Sequence, residues 1–183
     1  VVHNGIIENH DQLRTEVKAL GYEILSATDT EVIAHLVHHQ LKTEADLRSA
    51  VEKTIAKLEG AYALGVISDT QPETVIGARS GSPLVIGLGI DENFIASDQM
   101  ALRQVTDRFV FLEEGDLVEI SSASYSIFDQ SGSEVKRPIK QLDEKDLIAE
   151  KGQYRHFMQK EIFEQPTVLA NTTAGRIAAD HIR

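Results

Sequence analysis

The sequence predicts an α+β fold, in which helices and antiparallel strands occupy separate parts of the chain. Before Gly60, apolar residues recur at helical spacing. After Gly60, short apolar runs alternate with turn residues about every 8–12 positions, which is typical of consecutive strands. Helices followed by such strands indicate antiparallel sheets with segregated helices. The 183 residues are sufficient for one well-packed domain.

Three helices are predicted in the first part of the chain. The first is capped by Asn9 and ends at Gly21. Thr28 and Glu31 have the spacing of a capping box and begin the second. The third ends at Gly60. Their apolar faces are formed by Leu13, Val17 and Leu20, by Val32, Ile33, Leu36, Val37 and Leu41, and by Leu47, Ala50, Val51, Thr54, Ile55 and Leu58.

Short strands are predicted on both sides of these helices. The first residues of the chain have strand character, and residues 22–24 are expected to form another short strand. The apolar runs that follow the helices predict strands at residues 61–67, 74–78, 84–87, 93–96, 108–112, 117–120 and 125–128.

A charged segment divides the chain. Residues 143–153 contain almost no core residues, which is typical of a linker between a first part at 1–142 and a second part at 154–183. Phe157, Ile162 and Phe163 predict one more helix in the second part. The chain begins in strand-like sequence without Met and ends without a helix stop, so we expect it to be an internal fragment of a larger protein.

The composition excludes several classes of function. The 18 basic and 29 acidic residues give a net charge of −11, which argues against nucleic-acid binding. No apolar run is long enough to span a membrane.

Cysteine is absent, so these 183 residues hold no disulfide, cysteine-based zinc site or thiol nucleophile. His35 and His39 have the i, i+4 spacing of a metal pair, but no glutamate follows His35, and a polar helix face is the favoured interpretation.

Two short patterns are candidates for chemistry. In His3-Asn4-Gly5, the Asn4 amide and the Gly5 N–H can point at one position, as an oxyanion hole requires. The alternative is an ordinary Asn-Gly hairpin turn. Asp29 stands at the start of a helix and outside its apolar face, where it is by itself a cap or a first-turn acid.

At these positions the sequence resembles the class II glutamine amidotransferases. The resemblance is carried by residues 2–9 (VHNGIIEN) and 28–33 (TDTEVI). Three further stretches are similar to the glucosamine-6-phosphate synthase family within that class, namely residues 77–87 (GARSGSPLVIG), 94–98 (FIASD) and 154–162 (YRHFMQKEI). The last stretch resembles the start of that family's sugar-isomerase half.

The resemblance implies an N-terminal-nucleophile hydrolase fold, an αββα sandwich of antiparallel sheets, here without its N-terminal part. It also implies that an N-terminal cysteine hydrolyses glutamine and that the ammonia is transferred to fructose 6-phosphate, giving glucosamine 6-phosphate and glutamate. Carried over by residue, Asn4 and Gly5 form the oxyanion hole and Asp29 receives the α-ammonium of glutamine. Because the 183 residues of the chain include no cysteine, the chain alone is expected to be inactive. Residues 79–83 and 97–98 also match the family, and we expect them to have a structural role and not a catalytic one.

Two alternatives stay open at this point. An amidophosphoribosyltransferase-type glutaminase domain shares the Asn-Gly and Asp-Thr-Glu blocks, and a non-catalytic domain could sense glutamine. For the parent protein the resemblance implies no cofactor or metal, glutamine and fructose 6-phosphate as small-molecule partners, no nucleic-acid or membrane partner, and a cytoplasmic location. A homo-oligomer formed through the isomerase half is also expected.

Overall fold

The computed structural model describes residues 1–142 and 153–173. The chain divides into two compact units, Val1–Asp143 and Glu144–Arg183. Residues 143–152 of the expected linker lie outside the described residues, so the three-part division of the chain stays a prediction.

All three helices predicted before Gly60 are present in the first unit. They are α1 (His10–Ala19), α2 (Asp29–Gln40) and α3 (Leu47–Ile55). The helix predicted around Phe157 is also confirmed, as α4 (Phe157–Thr173) of the second unit. Within the two described ranges, none of the helices is both long and apolar enough to cross a membrane.

Asn9 occupies the N-cap position of α1, but its side chain makes no capping hydrogen bond. The Asn9 Nδ2 donates to the carbonyl oxygen of Lys57 at 2.9 Å, and its Oδ1 accepts from the Glu59 N–H at 3.1 Å. The predicted side-chain cap is therefore wrong. The nitrogen and the oxygen of the Asn9 amide instead join the start of α1 to the residues that follow α3. Those residues are far from Asn9 in the sequence, so the local pattern does not predict the contact.

The strands form two antiparallel sheets. The six-stranded sheet has the order β1-β2-β3-β7-β8-β9, and the four-stranded sheet has the order β10-β6-β4-β5. The bounds of the six are β1 Val2–Ile7, β2 Gly60–Val66, β3 Val75–Ser80, β7 Leu117–Ile120, β8 Tyr125–Phe128 and β9 Glu134–Val135. The bounds of the four are β4 Val85–Leu88, β5 Asn93–Ala96, β6 Arg108–Phe111 and β10 Ile139–Gln141.

Every strand predicted after the helices is confirmed, whereas the one predicted at residues 22–24 is not formed. Tyr22 instead packs on α2, where its hydroxyl lies 2.8 Å from His38 Nδ1 and its ring centre lies 4.9 Å from that of His35. Strand-forming residue types produce a strand only where a sheet edge is within reach. The short strands β9 and β10 were not predicted.

Two buried clusters of side chains define the layers of the first unit. One lies where the helices pack on the six-stranded sheet and includes Val17, Ile33 and Leu64. The other lies between the sheets and includes Ile86 and Val118. The layers of the first unit are therefore helix, sheet and sheet, which agrees with the predicted α+β sandwich of two antiparallel sheets. Among residues 1–142, the three helices supply one of the two helical layers of the expected αββα order.

Candidate functional site

Asn4 and Gly5 lie within strand β1, which is an edge strand of the six-stranded sheet. Asn4 is paired with Ala63 of β2 and Gly5 with Tyr62. The alternative of a hairpin turn is therefore wrong, because both residues lie inside a paired strand. The Asn-Gly signal is local, and here the pairing with a distant strand overrides it.

Gly5 has a backbone conformation that suits glycine alone. Its φ is +132°, a region that residues with a side chain rarely adopt. A Cβ at this position would overlap the carbonyl oxygen of Ala61 and lie 2.9 Å from the Cα of Tyr62. The absence of a side chain thus lets β1 approach β2 closely beside Asn4.

The free edge of β1 presents backbone N–H groups to the start of α2. The Glu8 N–H donates to Glu59 at 2.8 Å, toward the side of β2, whereas the Ile7 N–H donates to Asp29 Oδ2 at 3.0 Å. In an antiparallel ladder, residues two apart direct their N–H groups to the same edge. Gly5, two residues before Ile7, is therefore expected to direct its N–H to the open edge as well.

Asp29 is the first residue of α2, and its side chain is 23% exposed. Burial raises the pKa of Asp29, but the Ile7 N–H and the nearby His3 favour the carboxylate more strongly, and the pKa lies below its usual value. The start of a helix adds a favourable field for an anion. Asp29 is thus an ionised, partly accessible carboxylate fixed to β1.

The loop before α2 is held by hydrogen bonds at both of its ends. Thr28 Oγ1 accepts the Glu31 N–H and caps the helix as predicted. The Glu31 carboxylate does not return to Thr28, as a capping box would require, but accepts the N–H groups of Leu25 and Ser26 at 2.6 Å each. The Leu25 N–H foremost, and then the Ser26 hydroxyl and N–H, lower the pKa of Glu31 to about 2. Arg14 of α1 donates to the three carbonyl groups of residues 26–28.

His3 lies beside the site, although its residue type and spacing predict no separate role for it. Its side chain is only 2% exposed, and its Nδ1 lies 3.3 Å from Thr30 Oγ1 and 3.6 Å from Asp29 Oδ1. Because side chains alternate along a strand, His3 shares the helix-facing side of β1 with the buried Ile7. That alternation is the signal that could have placed it near α2.

Asn4 lies on the opposite face of β1 and lines a cavity of about 210 Å³ between the two sheets. Leu84 and Ile95 contribute apolar walls, and Ser97 adds a hydroxyl group. Neither Gly5 nor Asp29 is among the described residues that line this cavity. The site therefore has two sides, with the Asn4 amide on one face of β1 and Asp29 at the other, and with Gly5 between them.

The histidines of α2 and Arg79, which the sequence analysis also considered, make contacts within the fold. His35, His38 and His39 surround the ring of Tyr22, and among residues 1–142 and 153–173 no group of three or more side chains is arranged to hold a metal ion. Arg79 donates to the Leu112 carbonyl oxygen at 2.7 Å. Its role is thus to join β3 to the end of β6.

Known proteins similar to this chain were found by sequence. A family model described as a glutamine amidotransferase domain matches residues 1–104. The glutamine–fructose-6-phosphate aminotransferase (isomerizing) of Pseudomonas putida is 58% identical over 182 residues, which cover 100% of this chain and 30% of that protein. The protein of the same name from Escherichia coli is 57% identical over 178 residues, covering 97% and 29%. The chain thus spans about 30% of the length of these relatives.

Solved structures similar to this chain were also found. Glutamine phosphoribosylpyrophosphate amidotransferase from B. subtilis, complexed with ADP and GMP, has a TM-score of 0.62 and 26% identity, covering 70% of this chain and 28% of that one. A structure described as the allosteric regulatory enzyme of purine biosynthesis gives a TM-score of 0.60 at 26% identity, covering 69% and 27%.

Proposed function

The chain belongs to the glutamine amidotransferase domain family, with the N-terminal-nucleophile sandwich fold, and on that premise we propose that it binds glutamine and helps to release its amide nitrogen as ammonia. We further propose that it is part of a longer glutamine–fructose-6-phosphate aminotransferase, the full-length protein below. In that protein the ammonia reacts with fructose 6-phosphate to give glucosamine 6-phosphate, and glutamate is the other product. The identity of 58% over the whole chain supports this assignment.

Asn4 and Gly5 are proposed to stabilise the oxyanion that forms when the glutamine amide is attacked. An oxyanion hole needs hydrogen-bond donors fixed before the reaction begins. The Asn4 side-chain amide and the Gly5 backbone N–H are such donors, and the pairing of β1 with β2 fixes the strand that carries them. The small cavity beside Asn4 leaves room for a polar group near the amide.

Asp29 is proposed to bind the α-ammonium group of glutamine. A carboxylate that stays ionised at neutral pH suits this task, and its lowered pKa meets that requirement. A charged anchor also discriminates against ligands that lack the amine, because such ligands leave the carboxylate unpaired.

The observation that carries the proposal is the hydrogen bond from the Ile7 N–H to Asp29 Oδ2. It attaches the ammonium anchor to the same strand that holds Asn4 and Gly5. One glutamine molecule has its amide and its ammonium at opposite ends of a short chain, so the two binding groups must keep a fixed separation. The strand supplies that separation.

The nucleophile must come from outside these 183 residues, because they contain no cysteine. We propose that residues 1–142 are part of a glutaminase domain, that residues 143–153 are a linker, and that residues 154–183 begin the sugar-isomerase domain. We also propose a cytoplasmic homo-oligomer that associates through the isomerase half and that has neither nucleic acid nor membrane as a partner.

A second candidate is an amidophosphoribosyltransferase-type glutaminase domain, which the two similar solved structures support. Their identity of 26% is far below the 58% of the aminotransferase relative. A non-catalytic glutamine sensor is a third candidate. A cysteine directly after the initiator Met of the full-length protein would favour the enzyme, and its absence would favour the sensor.

Asn4→Ala in the full-length protein tests the proposed catalytic role. Turnover of glutamine should fall by about 10²–10³, the usual cost of one lost oxyanion donor, while glutamine binding stays near normal. Synthesis from added ammonia should be unaffected. Asn93→Ala is a matched control, because the Asn93 side chain donates to Ser121 on a loop away from β1 and should leave glutamine turnover unchanged. An Asn4→Ala protein that loses stability but keeps its rate per folded molecule would contradict the assignment.

A further inference from the structure

We propose that His3 is a positioning residue for glutamine binding, whose imidazole orients the Asp29 carboxylate toward the substrate ammonium. This role of His3 rests on the proposed function of Asp29. His3 would thus be a further residue of β1 that takes part in glutamine binding. It contacts neither the reacting amide nor the oxyanion and acts through Asp29.

The contacts of His3 are directed to the first turn of α2. Its Nδ1 lies 3.3 Å from Thr30 Oγ1 and 3.6 Å from Asp29 Oδ1, although these residues are separated by almost thirty positions in sequence. The imidazole is almost completely buried, so water does not compete strongly for these contacts. A ring held in this way restricts where the first turn of α2 can lie.

The two oxygens of Asp29 face different groups of the same strand. Oδ2 accepts the Ile7 N–H, and Oδ1 faces His3 Nδ1. The backbone N–H groups of Asp29 and Thr30 also favour the carboxylate. His3 is the side chain of β1 that faces Oδ1, and its ring limits the rotation of the carboxylate on that side. An ionised carboxylate has about four lone-pair sites, so it can still accept from an ammonium group on its exposed side.

The other ring nitrogen shows that packing alone does not account for a histidine here. His3 Nε2 is buried and has no hydrogen-bond partner in the described part of the chain. Nδ1 faces the Thr30 hydroxyl, which can donate or accept, and the Asp29 carboxylate, which only accepts, and the carboxylate favours the tautomer with its proton on Nδ1. Burying an unpaired polar atom costs free energy that an apolar side chain of similar size avoids. The Nδ1 contacts are the feature of the imidazole that offsets this cost.

Three substitutions in the full-length protein separate positioning from packing. His3→Asn places an amide N–H near the position of Nδ1, His3→Gln places one near Nε2, and His3→Leu has neither. If Nδ1 orients Asp29, His3→Leu and His3→Gln should raise the KM for glutamine by about 10- to 100-fold, the scale of a small misplacement in a binding site. His3→Asn should stay within about 3-fold of the parent. Synthesis from added ammonia should not change in any of them.

Thermal unfolding of each variant provides the structural readout. A positioning role predicts that the KM for glutamine follows the presence of a donor at the δ position and does not follow the melting temperature. Equal KM values for His3→Asn and His3→Leu would overturn the proposal in favour of packing, as would an unchanged KM in His3→Leu. If His3→Leu does not fold, His3→Gln retains a polar side chain and provides the same comparison with His3→Asn.

Asp29→Asn distinguishes a failure of this inference from a failure of the proposed function. If Asp29→Asn leaves the KM for glutamine unchanged, Asp29 is no ammonium anchor and both proposals fail. If Asp29→Asn raises the KM but His3→Leu does not, only the role of His3 fails. In a background of Asp29→Asn, His3→Leu should add little to the KM, because the positioned charge is already absent.

Discussion

Replacing Gly5 by alanine forces a methyl group into the backbone of the neighbouring strand. The new Cβ would overlap the carbonyl oxygen of Ala61, and it would lie 2.8 Å from the carbonyl carbon of the same residue. Both are backbone atoms, so no change of side-chain rotamer relieves the overlap. Either β1 moves away from β2, or Gly5 leaves its φ of +132°. A strained φ costs about 1–3 kcal/mol and an overpacked site about 1–3 kcal/mol, so we expect a loss of roughly 2–6 kcal/mol in the free energy of unfolding.

Gly21→Ala is the matched control for this prediction. Gly21 also has a positive φ, of +87°, but a Cβ there would meet no atom within 4 Å. Its substitution should cost only the backbone strain, about 1–2 kcal/mol. Urea denaturation of the full-length protein, followed by circular dichroism, measures both variants. Equal losses in the two would refute the reasoning, because the overlap with Ala61 would then contribute nothing. Gly5→Ala should also lose glutamine hydrolysis, since the strand that carries Asn4 is displaced.

Three other substitutions have defined outcomes. Asp29→Asn keeps an oxygen for the backbone contact but removes the charge, so glutamine binding should weaken by about 2–5 kcal/mol, measured as the KM for glutamine, and an unchanged KM would contradict the ammonium site. The Leu25 N–H foremost, and then the Ser26 hydroxyl and N–H, hold the pKa of Glu31 at about 2, against 4.5 for an ordinary glutamate. The parent should therefore be more stable than Glu31→Gln above pH 4.5 and should lose that advantage as the pH falls toward 2. Melting temperatures between pH 7 and pH 2 test this, and a constant difference would count against it. Arg137→Leu leaves the buried carboxylate of Asp116 without its cation and should cost about 3–5 kcal/mol in urea denaturation, much of which Asp116→Asn in the same background should restore.

The sheets could be predicted from the sequence because their signals are local. Strands β5, β7 and β8 have the predicted bounds, since each apolar run is limited on both sides by turn residues. Strands β9 and β10 are two and three residues long, too short for an alternating pattern to be detected. Residues 22–24 have strand-forming side chains, but the ring of Tyr22 packs on α2 and the backbone reaches no sheet.

The sequence could predict which residues belong to the site but not how they contact one another. The start of α2 at Asp29 follows from local spacing, and that part of the prediction is confirmed. The contact between Asp29 and Ile7 joins residues 22 positions apart, so no local pattern contains it. The position of Asn4 within a strand depends likewise on β2, which lies far along the chain. The roles of Asn4, Gly5 and Asp29 in glutamine hydrolysis stay predictions until the variants are measured.

The polar contacts of the loop before α2 determine how that part of the chain opens. Residues 25–28 form no helix or strand, and the side chain of Leu25 is largely exposed, so amide hydrogen exchange there would ordinarily be fast. Glu31 nevertheless accepts two of the loop's N–H groups, and Arg14 binds three of its carbonyl groups. The amides of Leu25 and Ser26 should therefore exchange slowly, at the rate of the first turn of α2. We therefore expect the loop, α1 and α2 to open as one cooperative unit, in which the carboxylate of Asp29 moves together with the helices that flank it.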